Sequence, residues 1–225
     1  MQLKLSTRPQ AGTRPYDAEL KQSPSESLVK AVHRRDNGVC SECGFRSAKY
    51  MRVRPTREMP HSPRDYRTVC TFCWQVEHID AAARQRSGEL VWMPELDQLE
   101  INRMFPSIYV ELTMPRSLVR EPLGALIAVF EERKSRALQA LGQDRSASLR
   151  GLFDGLPVGG PDCLENLSDE FRLWPSSRLI VRTGSLEFNQ FPQMLAYWRS
   201  RAGPLAGGSP HIAAETQDWL IRLKG

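Results

Sequence analysis

The sequence predicts an α+β fold, mainly helical, in which an N-terminal metal-binding part with short strands precedes a helical region. Three observations point there. Two C-x-x-C pairs, Cys40/Cys43 in "VCSECGF" and Cys70/Cys73 in "VCTFCW", flank a segment rich in Arg and Pro. "GELVWMP" at 88–94 reads as a strand stopped by Pro94. From Val119 to Leu141, apolar residues recur at helical spacing: Val119, Leu123, Leu126, Ile127, Phe130, Ala137, Leu138 and Leu141.

The elements follow in order. "LKLS" at 3–6 alternates like an edge strand and leads into a loop. "SPSESLVKAVHRRDNG" has helix punctuation: Ser23 as N-cap, Pro24 at the first position, Glu26 closing a capping box, and Asn37-Gly38 as the stop. His33 is expected to be a half-exposed helix residue. Between the cysteine pairs the composition leaves room for one short strand near Tyr50–Arg54, and a helix is expected from Thr71. "PELDQLEINRMF" reads as a helix starting at Pro94, followed by the long stripe and by shorter helices near 145–155, 161–168 and 190–200, with a break at "LWPSSR". "SRAGPLAGGSPH" reads as a flexible linker into a last helix carrying Ile212, Trp219, Leu220 and Leu223 on one face. That helix either docks on its own domain or serves as a tethered peptide for a partner. The expected organisation is therefore a metal-binding region over 1–93, a helical region packed on it over 94–200, and a linker with a terminal helix over 201–225.

Composition narrows the function. Hydrophobic residues at 40% and charged residues at 25% describe an ordinary globular chain. The longest apolar run, "LGALIAVF" at 123–130, is too short for a bilayer span of about 20 residues. The start lacks the apolar core of a secretory signal, so a cytoplasmic protein is expected. No Gly-rich phosphate loop is present, which removes the nucleotide-hydrolase class. The charge of +5 is uneven: Lys30–Cys70 holds ten basic residues against four acidic ones, leaving the rest of the chain at −1. Such a basic stretch can balance a thiolate-bound metal, attract phosphates, or attract an acidic protein segment.

In a reducing compartment, paired C-x-x-C turns mean metal rather than disulfides. Two such turns bring four thiolates to one tetrahedral ion, and one zinc ion (Zn2+) held by Cys40, Cys43, Cys70 and Cys73 is the expected cofactor. Gly44, just after the first pair, sits where a positive φ is often needed. A closed four-cysteine site has no open coordination position, so the ion is structural and activates no water. Cys163, with no Cys or His beside it, reads as a small core residue. Trp74, Trp92, Trp174 and Trp198 are likewise expected in the core.

"RRDNGVCSECGF…VCTFCW" resembles the HNH endonuclease frame, which implies an HNH-like, treble-clef N-terminal part. In that frame a His on a strand activates water, and His also follows the second cysteine pair. Here Arg52, Val53 and Arg54 occupy the strand position, Asp65-Tyr66 precede the second pair and Trp74 follows it. His61 and His78 are the nearest substitutes, so no catalytic residue is expected and the chain reads as a non-enzyme. A longer resemblance, over about residues 2–200, is to the IcmJ (DotN) family of Dot/Icm type IVB secretion components. It rests on "RDNGVCSECGF", "VCTFC", "GELVWMPELDQLEINRMF" and "FRLWPSSRLIVR…FPQMLAYWRS". It implies a zinc-stabilised scaffold or adaptor of a coupling complex, bound to the C-terminal extension of the coupling ATPase beside secretion adaptors and so recruited to the inner membrane. The alternatives from the residues themselves are a zinc-dependent nucleic-acid-binding module and a residual HNH endonuclease.

Overall fold

The computed structural model describes residues 24–57, 60–115, 117–142, 148–154, 169–183, 185–209 and 211–224. The expected edge strand at 3–6, Ser23, Cys163 and the expected helix at 161–168 lie outside these residues.

The first element, α1 (Glu26–Arg35), starts two residues later than expected: Ser25 is the N-cap, its Oγ accepting the Leu28 N–H at 3.3 Å. It ends at Asp36, and Gly38 follows with φ +64, where an added Cβ would meet the Ser47 carbonyl oxygen at 2.4 Å. Then come β1 (Met51–Pro55), a short 3-10 turn (Pro63–Asp65) and β2 (Tyr66–Cys70), paired antiparallel with Met51 opposite Cys70. The strand near Tyr50–Arg54 is there, and β2 pairs with it where a single short strand is expected. "YRTVC" is too short and too mixed to stand out without its neighbour.

A helix α2 (Thr71–Glu77) begins at the expected residue, and α3 (Ile79–Gln85) follows after a break at His78. β3 (Gly88–Trp92) stops before Pro94 as expected. The next helix, α4 (Gln98–Leu112), starts at Gln98 rather than at Pro94. Asp97 and Glu100 form a reciprocal capping box there, with Leu99 N–H to Asp97 Oδ1 at 2.7 Å and Asp97 N–H to Glu100 Oε2 at 2.9 Å. α4 runs through Pro106, because burial of Phe105, Ile108 and Tyr109 offsets the missing backbone bond. α5 (Arg120–Ala140) is the long helix, burying Leu123, Leu126, Phe130, Ala137 and Leu138. The short α6 (Leu149–Asp154) comes next.

The expected helical region also contains strands. β4 (Phe171–Pro175) pairs antiparallel with β3, and β5 (Ile180–Thr183) with β6 (Leu186–Asn189) forms a third two-stranded sheet. All five residues of β4 are buried, so "FRLWP" shows none of the alternation that marks a half-exposed strand. A division at residue 93 leaves β3 and its partner β4 on opposite sides.

The chain closes with α7 (Phe191–Arg199) and α8 (Ile212–Lys224). Residues 201–209 are tied down rather than loose: Leu205 N–H donates to Trp198 O at 2.9 Å and Ser209 N–H to Glu111 Oε1 at 3.0 Å. α8 packs on α5 and α4 with Ile212, Trp219, Leu220 and Leu223 buried, which favours the docked helix over the tethered peptide. One hydrophobic cluster extends from Cys40 to Leu223. Within it, Phe105, Phe130, Trp174 and Trp219 form one aromatic group, and Phe45, Phe72, Phe191 and Trp198 form another beside the cysteines. No described helix is long and apolar enough to cross a membrane.

Candidate metal centre

The first cysteine pair sits on a tight turn after α1. Cys40 N–H donates to Phe45 O at 2.9 Å and Gly44 N–H to Cys40 O at 3.0 Å, with Gly44 at φ +76 as expected. Ser41 N–H donates to Thr68 O at 2.9 Å, which ties this turn to β2. Asp36 strengthens the same junction: its Oδ2 accepts the Thr68 N–H at 2.8 Å while Arg35 pairs with its carboxylate. The second pair straddles a strand-to-helix transition, with Cys70 closing β2 and Cys73 in the first turn of α2. Cys73 N–H donates to Cys70 Sγ at 3.3 Å.

All four sulfurs lie within 4.8 Å of one another, so the structure brings together every predicted ligand. Cys43 Sγ and Cys70 Sγ are 3.7 Å apart. Four thiolates about 2.3 Å from a tetrahedral ion would sit roughly 3.8 Å apart, so the spacing fits a single metal ion. Without an ion, Cys40 and the Cys70–Cys73 pair are driven in opposite directions. Hydrogen bonds from Cys43, Cys70 and Cys73 pull Cys40 far below the ordinary thiol range. Hydrogen bonding to Cys40 and Cys43, together with burial, pushes Cys70 and Cys73 well above it. A bound cation removes this conflict by stabilising all four as thiolates.

β1 packs against α2 beside this cluster. Arg52 and Arg54 share one face of β1, and Trp74, Glu77 and His78 share one side of α2 and its end. The Arg54 guanidinium donates to Glu42 Oε1, on the first cysteine turn, at 2.6 Å, and also to Glu77. All three side chains are largely buried. The Arg52 guanidinium lies 4.2 Å from the centre of the Trp74 ring. On its other partner, Trp74 stacks against His78 with centroids 4.2 Å apart and planes 9° from parallel.

No family model matches this chain, and no curated protein matches its sequence.

Neither candidate histidine joins the cysteines. His61 is exposed beside the 3-10 turn, with its backbone N–H bound to Asp65 Oδ2 at 2.9 Å. His78 is 2% exposed, and its Nδ1 lies 2.7 Å from the Trp74 carbonyl, which can only accept, so Nδ1 carries the proton. His33 stays half-buried on α1, outside the cluster. Trp74, Trp174 and Trp198 are buried as expected; Trp92 is half-buried, with the Arg136 guanidinium 3.5 Å from its ring centre.

Two contributors were missed in the sequence. Arg54 meets partners 12 and 23 residues away, a spacing with no periodic signal. Asn102 donates from Nδ2 to Cys73 Sγ at 3.3 Å. A polar residue on the buried stripe of α4, next to Ile101 and Phe105, was the available clue.

Proposed function

We propose that Cys40, Cys43, Cys70 and Cys73 hold one structural zinc ion, and that the chain is a non-enzymatic scaffold or adaptor built on a degenerate HNH-like, treble-clef frame. The order of a cysteine turn, a hairpin, and a helix whose start supplies the last two ligands supports that frame. One observation supports the non-catalytic reading most. The strand position where an HNH enzyme keeps its water-activating histidine carries Arg52 and Arg54 instead, engaged in the Arg54–Glu42–Glu77 ion pairs and the Arg52–Trp74–His78 stack. Arginine stays protonated and cannot act as a general base. Zinc in a closed four-thiolate site stabilises structure.

The resemblance to the IcmJ (DotN) family extends this reading. The partner would be the C-terminal extension of a type IVB coupling ATPase, with associated secretion adaptors, on the cytoplasmic face of the inner membrane. Co-purification with that extension tests it. A stable complex containing one zinc per chain is expected, with both zinc and complex reduced by Cys70→Ser. A stable monomer that ignores the extension contradicts the proposal. DNA binding that weakens steeply with salt, in place of such a complex, would favour the nucleic-acid-binding alternative.

A further inference from the structure

We infer that Asn102 is an outer ligand of the metal centre, set in orientation by Gln98 and, through it, by the backbone of β4. The inference rests on the reading that the four cysteines hold a metal. Asn102 is fully buried, as are Cys73, Gln98 and Leu173 to within 2%. The direction of every hydrogen bond in the chain follows from its far end. Leu173 N–H can only donate and Leu173 C=O can only accept. They fix the Gln98 amide, with N–H to Oε1 at 2.7 Å and Nε2 to the carbonyl at 2.8 Å. Gln98 Nε2 then donates to Asn102 Oδ1 at 3.0 Å. Asn102 is left with only its NH2 facing Cys73 Sγ, at 3.3 Å. The sulfur must therefore be the acceptor, and a metal-bound thiolate is the form of cysteine that accepts best.

Two consequences follow. Gln98 occupies the open edge of β4, satisfying backbone groups as a neighbouring strand would. The metal centre is thereby joined to the β3–β4 pair through three buried hydrogen bonds as well as along the chain through α2 and α3. The N–H···S bond also draws charge from Cys73, which lowers its nucleophilicity and slows loss of the metal.

Zinc transfer from the full-length protein to a chromophoric chelator tests this, together with alkylation of each cysteine followed by mass spectrometry. Asn102→Ala is expected to speed zinc transfer by about 10–100-fold, the usual scale for loss of an outer ligand. Alkylation should rise more at Cys73 than at Cys40; a merely loosened fold would raise both together. Asn102→Asp, nearly isosteric but facing the thiolate with a carboxylate, should be at least as fast. Unchanged transfer and unchanged Cys73 labelling in Asn102→Ala overturn the inference. Should the variants fail to fold, the wild-type protein loaded with an NMR-active cadmium isotope decides the matter. A coupling between the metal nucleus and an Asn102 side-chain proton supports the hydrogen bond, and its absence overturns it. A wild-type protein that binds no metal would instead defeat the zinc reading itself.

Discussion

Arg54 shows how one side chain can tie separate elements together. Its guanidinium joins the first cysteine turn through Glu42 to the end of α2 through Glu77, across the strand that carries it. Replacing it with Ala would remove the cationic partner of two largely buried carboxylates. Arg54→Ala should therefore cost about 3–5 kcal/mol, seen as a lower urea midpoint with little change in slope. Arg54→Lys should recover only part of this, because an ammonium lacks the planar fork that meets two carboxylates at once. A loss under about 1 kcal/mol for Arg54→Ala would mean that the pairs are solvated rather than structural. The four cysteines were legible because metal ligands recur at fixed short spacings. Arg54 and Asn102 were not, because their partners are set by the tertiary fold.

At the level of elements, local signals located most helices, and competing caps moved their ends. Ser25 displaced Ser23 at α1, and the Asp97–Glu100 box displaced Pro94 at α4. β2 and β4 were hidden for a different reason: each is five residues long and defined by the strand beside it. Glu100 has a second task that gives α8 a pH dependence. It pairs with Arg222 of α8 at 2.9 and 3.2 Å, and chiefly for that reason its carboxyl titrates below the ordinary value of 4.5. A carboxylate whose folded pKa is depressed stabilises fully above the unfolded value, and this contribution is lost as pH falls through the folded one. The docking of α8 should accordingly hold at neutral pH and weaken in acid below about 4.5, the ordinary value. Amide exchange along residues 212–224 measures this. Glu100→Gln should show weaker protection at neutral pH and a flatter acid response, and an unchanged acid response would remove Glu100 as the cause.

Across the described residues, one core joins the cysteine cluster to α8. Phe45 and Phe72, each within two residues of a cysteine, meet Trp198 of α7, and Trp219 of α8 meets Phe105 and Phe130. The region from 94 onward therefore serves as the packing partner that the small, Arg-rich metal-binding part lacks. The helical character of that region is legible in sequence patterns, while β4 depends on contacts between residues 75 or more apart and the hydrogen bond to the cysteines joins residues 29 apart. We propose that this molecule keeps an HNH-like frame in which arginines stand at the position of the catalytic histidine. This claim is tested most directly by incubating the zinc-loaded protein with supercoiled plasmid in magnesium, manganese or nickel. The plasmid is predicted to stay supercoiled in all three. Nicking that disappears in His78→Ala or His61→Ala would contradict the claim.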